Sequence, residues 1–356
     1  MLTNRLQKIR RKIQESKLDG FLITFLPHVR YVSSFSGTAG ICLITNTSNY
    51  FISDGRYILQ ASEEVKSFKL ITAADGLFSE ISNRKLLKIN SRVGVDGNTL
   101  ILSQLKELRK LFPKVHFIPK ANFIDGIASV KDEFEIEQIR KAVLITDHIF
   151  ENILKIIKPG MRELDIAAEI TYLQRTFGAD KDAFEPIVAS GKNGALPHAK
   201  ASTKKICNGE MVTLDFGCVV NGYHSDMTRT IFIGSSKQKA VKIYQTVLEA
   251  QQKTIAAAVP GISVKELDSV ARNFIKDAGY GDYFNHSLGH GIGLQIHELP
   301  KLSAYNKAIL QAGNVITIEP GIYIPDYGGV RIEDDVVIRD GPPEILNKST
   351  KELTVL

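Results

Sequence analysis

Two aspartates, Asp215 and Asp226, stand in TLDFGCVVNGYHSDMTRT (residues 213–230), a stretch otherwise rich in β-branched, aromatic and glycine residues. Taken alone the pair has an ordinary explanation, one carboxylate capping a turn and the other facing water. Two further acids, however, recur in the same setting near the C-terminus: Glu319 in GNVITIEPG (313–321) and Glu333 in GGVRIEDDVV (328–337). Each pair is one acid at the end of an apolar strand and a second acid shortly after it. Strand residues of this kind are placed against a core, and burying an unpaired anion is costly.

Four carboxylates brought into one buried pocket cannot all stay ionised, because like charges within a few ångströms push one another's pKa up. A central cation of high charge resolves the conflict. Oxygen donors with one imidazole suit Mn²⁺, Co²⁺, Fe²⁺ or Zn²⁺, and four carboxylates are enough to hold two such ions by bridging. His290 in SLGHGIGL is the best nitrogen candidate, since flanking glycines let its backbone approach the site closely. A lone histidine is usually structural. Here five of the eight histidines, His198, His224, His286, His290 and His297, fall in the same region of the chain.

What brings these residues together is a weak internal repeat, which constrains a fold more than any local propensity. The first pass runs through PGMRELD (159–165), a helix ending near Gly178, FEPIVASGKNGALPHAKAS (184–202) and the strand GEMVTLDFG (209–217). Its echo runs through PGISVKELD (260–268), a helix ending near Gly279, FNHSLGHGIGLQIHELPKLS (284–303) and GNVITIEPG. In that register His198 falls opposite His297, and Asp215 opposite Glu319. Two related α/β halves facing one another would converge their acidic strand residues on one pocket.

Ahead of the repeat, GFLITF, GICLIT, NYFISD and VHFIPK read as strands and TLILSQLKELRKLF as an amphipathic helix, so residues 1–124 are expected to form a separate α/β domain. A linker is expected near residues 120–131. Asp132 with Glu135 three residues later then forms a capping box that opens the second domain, 130–356. The 356 residues agree with two domains, since single cores stop growing at roughly 250 to 300 residues. A net charge of +6 is spread through both halves among 39 acidic residues, which argues against a nucleic-acid surface. RLQKIRRK, the one basic cluster, reads as the solvated face of a first helix. Three widely spaced cysteines imply neither a disulfide framework nor a zinc knuckle, and a reducing cytoplasm is expected. The opening segment lacks the apolar core of a signal peptide, and no run approaches the ~18 apolar residues that span a bilayer.

In order and at family-like spacing, LDFGCVVNGYHSDMTRT, HSLGHGIGLQIHELP, ITIEPGIY and GGVRIEDDVVI resemble the metal-dependent proline peptidases of the pita-bread (creatinase/aminopeptidase) fold, the Xaa-Pro aminopeptidases and Xaa-Pro dipeptidases (prolidases). The resemblance implies an N-terminal creatinase-like α/β domain followed by a pseudo-twofold pita-bread catalytic domain. It implies five ligands for two divalent ions, expected to be Mn²⁺ with Co²⁺, Fe²⁺ or Zn²⁺ as alternatives: Asp215, Asp226, His290, Glu319 and Glu333, with Asp226 and Glu333 bridging. His198 and His297 are implied to contact substrate and steady the tetrahedral intermediate, with His286 also at the substrate. Arg331 is implied to support the bridging carboxylate, and Glu319 to shuttle a proton to the proline nitrogen.

The chemistry so implied is attack on the peptide bond before proline by a hydroxide held between two metal ions, in a homodimer, on proline-containing peptides. Within the family the N-terminal VRYVSSFSGTAGICLITNTSNYFISDGRYILQA (29–61) is more similar to aminopeptidases, which favours release of the N-terminal residue, with the dipeptidase as the alternative. PHVRY departs from that pattern, carrying His28 where aminopeptidases often have asparagine, a difference that bears on fine specificity. A metal-free relative acting as a binding module, or a creatinase-like hydrolase without metal, is disfavoured because all five ligands are present.

Overall fold

The computed structural model describes residues 2–235 and 237–356. The chain divides after Ala128 into two compact units.

The first unit is a mixed six-stranded sheet with helices against it. Its elements are α1 (Leu2–Glu15), β1 (Gly20–Ile23), α2 (Leu26–Ser33), β2 (Ile41–Thr45), β3 (Asn49–Asp54), α3 (Ile58–Glu64), β4 (Lys69–Ala73), α4 (Leu77–Asn83), β5 (Arg92–Asp96), α5 (Leu102–Leu111), β6 (His116–Lys120) and α6 (Asp125–Ala128). Strand order is β4-β3-β2-β1-β5-β6, antiparallel through β1, β2 and β3 and parallel elsewhere. The four strands read from periodicity are present within one or two residues, and the helix read over 99–112 runs from Leu102 to Leu111. Two more strands, β4 and β5, are shorter on apolar signal. The expected linker is partly folded, since α6 belongs to this unit. DGRY is a capped turn: Asp54 accepts from the Arg56 backbone N–H, and the Tyr57 hydroxyl meets Thr38 of SGTAG at 2.6 Å.

His28 is buried inside this unit, not on a substrate-facing surface of it. Its Nε2 lies 3.1 Å from Asp125 Oδ1, and its Nδ1 lies 3.0 Å from Asp96 Oδ2, close enough for an ion pair although not aligned as a hydrogen bond. Burial works against the charge, but Asp125 and Asp96 outweigh it and hold the imidazolium pKa up at about 9. The folded pKa therefore lies above the unfolded value near 6.5, so the stabilisation is full below that value and is lost as pH rises through 9. From the size of the shift it amounts to about 3 kcal/mol. Wild type is expected to lose that much stability relative to His28→Asn between pH 5 and pH 10 in denaturant titrations. An unchanged difference between the two proteins across that window would refute the pair's charge.

The second unit comprises α7 (Glu133–Ile156), α8 (Glu163–Thr176), β7 (Lys181–Asp182), β8 (Ile187–Ser190), β9 (Met211–Phe216), β10 (Cys218–Val220), β11 (Tyr223–His224), β12 (Met227–Phe232), α9 (Gln238–Ala257), α10 (Val264–Ile275), β13 (Gly289–Gly291), β14 (Glu298–Leu302), β15 (Val315–Ile318), β16 (Gly321–Ile324), β17 (Gly328–Arg331), β18 (Asp334–Val337) and β19 (Glu344–Ile345). The expected capping box opens α7, with Asp132 accepting from the Glu135 N–H and Glu135 from the Asp132 N–H. No helix among the described residues is long and apolar enough to cross a membrane.

The internal repeat is visible in the backbone. Gly160 N–H donates to Ile206 O, Ile206 N–H to Met161 O and Glu163 N–H to Lys204 O. In the second half Gly261 N–H donates to Leu310 O, Leu310 N–H to Ile262 O and Val264 N–H to Ala308 O. The shared letters ELD are therefore not structural equivalents: Glu163 opens α8 where Val264 opens α10. Each half has its own core. Ile149, Phe150, Ile153, Ile166 and Ile170 of α7 and α8 pack on β8, β9 and β12, and Val247, Leu267 and Ala271 of α9 and α10 pack with β15 to β18. The two sheets, ordered β12-β9-β8 and β14-β13-β15-β18-β19, end in the acidic residues.

Candidate metal centre

Asp215 lies near the end of β9, opposite Thr228 of β12, and Asp226 immediately precedes β12. Glu319 follows β15 and Glu333 follows β17. All four line one cavity of about 210 Å³ together with His198, His286, His290, His297 and Arg331, so of the residues singled out around the repeat only His224 lies outside it. Phe184, Ile187, Pro197 and Ile296 supply apolar walls. The glycines around His290 are required by close approach: a Cβ at Gly289 would lie 2.2 Å from Thr317 O, and one at Gly291 would lie 2.2 Å from Leu299 O.

The electrostatics of this nest are unfavourable for protein groups alone. Burial pushes the Asp226 carboxyl well above its ordinary range, reinforced by Glu333, Asp215 and Asp335. Glu333 is raised likewise by burial and by Glu319, and Glu319 is pushed up to about 8, with Arg331 opposing. Imidazoles do not compensate. Burial and the neighbouring His297 hold His290 down at about 4, and burial and His198 lower His297. His290 is therefore neutral, with Nδ1 donating to Gly291 O at 3.0 Å, a tautomer assigned from that contact. Its Nε2 lone pair then faces Asp226 Oδ2 at 3.6 Å and Glu319 Oε1 at 3.5 Å. A lone pair against two carboxylate oxygens is repulsive unless a cation intervenes.

The donor set fits a divalent ion on a second count. Asp215 Oδ1, Asp226 Oδ1 and Glu333 Oε1 are buried and have no hydrogen-bond partner among the described residues. Asp226, His290 and Glu333 each offer an atom within 4.8 Å of the other two. Buried oxygens of this kind cost free energy unless satisfied, and a hard or borderline cation is what satisfies several at once.

Arg331 departs from the expected role. Its Nη2 donates to Asp215 Oδ2 at 2.5 Å, its Nε to Thr228 Oγ1 at 2.9 Å and its Nη1 to Tyr323 Oη at 2.7 Å. Glu333 is reached only through Thr228, whose hydroxyl donates to Glu333 Oε2 at 2.6 Å. The ladder explains this, because Thr228 stands opposite Asp215, and a guanidinium arriving over that pair meets both first. His286 also departs. Burial and Arg331 hold it down at about 3, its Nδ1 donates to Ser287 O, and its Nε2 accepts from the Tyr323 hydroxyl. It lines the cavity but has no free ring nitrogen for a substrate. His224 is a strut, with Nδ1 at 3.0 Å from Gly293 O.

Four supporting residues escaped the sequence reading: Tyr323, Thr228, Thr317 and Asp335. Thr317 Oγ1 donates to Glu319 Oε1 at 3.1 Å and accepts from the His290 N–H, while Asp335 Oδ2 accepts from the Asp226 N–H at 2.9 Å. Strand alternation carried a signal for Asp335, since residues 333 and 335 share a face and Asp334 turns the other way to pair with Arg229 at 2.7 Å.

Comparison with known proteins agrees with this geometry. Residues 137–340 match Metallopeptidase family M24, and residues 5–129 match the Creatinase/Prolidase N-terminal domain. The chain is 40% identical to the Xaa-Pro dipeptidase of Pyrococcus furiosus over 99% of this chain and 100% of that one. Among solved structures, an Xaa-Pro dipeptidase from Bacillus anthracis superposes with a TM-score of 0.97 at 39% identity over 100% of both chains. The X-Pro aminopeptidase from Thermotoga maritima gives 0.90 at 36% identity over 97% of this chain and 100% of that one. A pseudo-twofold domain whose acidic strand ends meet in one carboxylate nest, following a creatinase-type N-terminal domain in the chain, thus has a family: the chain belongs to Metallopeptidase family M24, with the pita-bread fold.

Proposed function

We propose that the chain is an Xaa-Pro dipeptidase, hydrolysing the bond before proline with two divalent ions held by Asp215, Asp226, His290, Glu319 and Glu333. The observation that carries the metal-dependent part is the surplus of buried carboxylate oxygens facing a neutral His290. Mn²⁺ is the favoured occupant among Mn²⁺, Co²⁺, Fe²⁺ and Zn²⁺, because the donors are mostly oxygen. The dipeptidase reading is supported by relatives of that name matching nearly end to end. Homodimeric assembly and a cytoplasmic location belong to the same proposal and rest on the family resemblance.

Bound ions supply Lewis acidity and make water acidic enough to act as a nucleophile near neutral pH. The chain's own groups do the rest. His297 is neutral and offers an N–H to the carbonyl oxygen as it gains charge, with His198 at the rim offering a second. Glu319, the most open of the ion-facing acids at 17% side-chain exposure against 10% for Asp215 and 7% for Asp226, carries a proton to the proline nitrogen. Arg331 fixes Asp215, and the apolar walls suit a pyrrolidine ring.

Aminopeptidase action is the second reading, favoured by the SGTAG and DGRY segments and by the likeness to the Thermotoga structure. Product length separates the two, because a pocket serving dipeptides must close around the proline carboxylate, whereas an open one gains binding energy from later residues. Mass spectrometry of products from Gly-Pro, Arg-Pro-Pro and a longer Xaa-Pro peptide, with Mn²⁺ present, is expected to show cleavage of Gly-Pro alone. Release of arginine from Arg-Pro-Pro at higher kcat/KM than dipeptide hydrolysis would reverse the order of the two readings.

A further inference from the structure

Glu163 is a fully buried carboxylate that no part of the reaction described above uses. It opens α8, yet the equivalent position opening α10 is Val264, equally buried, so starting the helix does not require an acid there. What surrounds Glu163 is the loop bearing His198. Oε1 accepts from Ser190 N–H at 2.7 Å and Ser190 Oγ at 2.8 Å, at the start of the loop. Oε2 accepts from Ser202 N–H at 3.1 Å and Ser202 Oγ at 2.6 Å, at its end. The Asn193 side-chain amide spans both oxygens at 3.1 Å.

The contacts assign donor and acceptor roles throughout this network. Ser190 Oγ accepts from Lys204 Nζ at 2.8 Å, and Ser202 Oγ accepts from the Lys204 N–H at 3.1 Å, so each hydroxyl has its own hydrogen left to donate to Glu163. Glu163 thus receives donors on both oxygens and has no acceptor to serve, which requires the ionised acid. An amide in its place would set an NH₂ against those same donors. His198 is exposed, so its place is set by the backbone beneath it, and that backbone is pinned at both ends by one side chain. From the same loop the Pro197 carbonyl accepts from Arg331 Nη1 at 3.2 Å, tying it to the nest.

We infer that Glu163 is a positioning residue: it clamps residues 190 and 202 together so that His198 is held over the reacting carbonyl. The inference rests on the reading of His198 as a substrate-contacting group. The test is a double-mutant cycle of Glu163→Gln with His198→Ala in the metal-loaded full-length enzyme, alongside hydrogen exchange of the loop. Glu163→Gln is expected to lower kcat about 10- to 100-fold, as loss of supporting shells generally does, with metal content at the wild-type level. Amides of residues 191–202 exchange faster in that variant. In the His198→Ala background, adding Glu163→Gln costs less than about threefold, because the residue it positions is already gone. Ser202→Ala, which removes one hydroxyl and keeps the acid, shows the same pattern at smaller size and covers the case in which Glu163→Gln does not fold. Full multiplication of the two effects, or unchanged loop exchange in both variants, overturns the clamp. If His198→Ala leaves kcat untouched, the role of His198 fails and the positioning role falls with it, while the exchange data separately report whether the loop is anchored.

Discussion

Asp226→Ala is expected to abolish the proposed peptidase activity, by a factor of about a thousand or more in kcat/KM, equivalent to roughly 4 kcal/mol, and to strip the protein of divalent metal. Asp226 is where the nest is most strained: its Oδ1 has no partner among the described residues, its Oδ2 faces His290 Nε2, and four acids reinforce what burial does to its pKa. In the proposed site Asp226 would serve both ions, a role that neither neighbouring acid could take over. The same substitution has the opposite sign in the stripped protein. Because the folded pKa lies above the ordinary value of 3.8, Asp226 destabilises the metal-free fold increasingly as pH rises above that value. Metal-free Asp226→Ala is therefore expected to melt higher than metal-free wild type at pH 7 and to lose that advantage near pH 4. Elemental analysis and melting curves read both signs. Full metal content in the variant would remove Asp226 from the site.

His297→Ala and His198→Ala are each expected to lower kcat by about a hundredfold or more while metal content stays near wild type, as for groups that donate hydrogen bonds as charge develops. His297 stands edge-on to His290, ring centroids 4.4 Å apart at 74°, which places it beside the nest. Loss of metal together with activity in either variant would make that residue a ligand and require the site to be redrawn.

Much of this site was legible because a repeat placed its parts in register. Asp215 and Glu319 end equivalent strands, and the glycines flanking His290 announced a close backbone approach that the atoms at 2.2 Å require. Other features were beyond sequence pattern. Arg331 was expected beside a bridging acid and instead pairs with Asp215, a choice made by the β9–β12 register, which no single strand encodes. His286 reads as one more histidine of the cluster, but only the fold brings Tyr323 to its free nitrogen. His28 looked like a departure in a specificity segment, whereas Asp96 and Asp125, far along the chain, make it an internal cation. In the same way PGMRELD and PGISVKELD differ in length, and only backbone pairing shows that Glu163 stands against Val264. Local periodicity fixes elements; pairing across the chain decides what each polar group meets.

The central claim is that the carboxylate nest works only with a divalent cation and acts on the bond before proline. Its most direct test is the initial rate of hydrolysis of Ala-Pro and of Ala-Ala as Mn²⁺ is returned to chelator-stripped wild-type enzyme. No hydrolysis is expected at zero metal, followed by a saturable rise for Ala-Pro that exceeds Ala-Ala by at least about an order of magnitude, the size of discrimination a shaped apolar pocket provides. Full hydrolysis of Ala-Pro by the stripped enzyme, or equal rates on the two dipeptides, would contradict it.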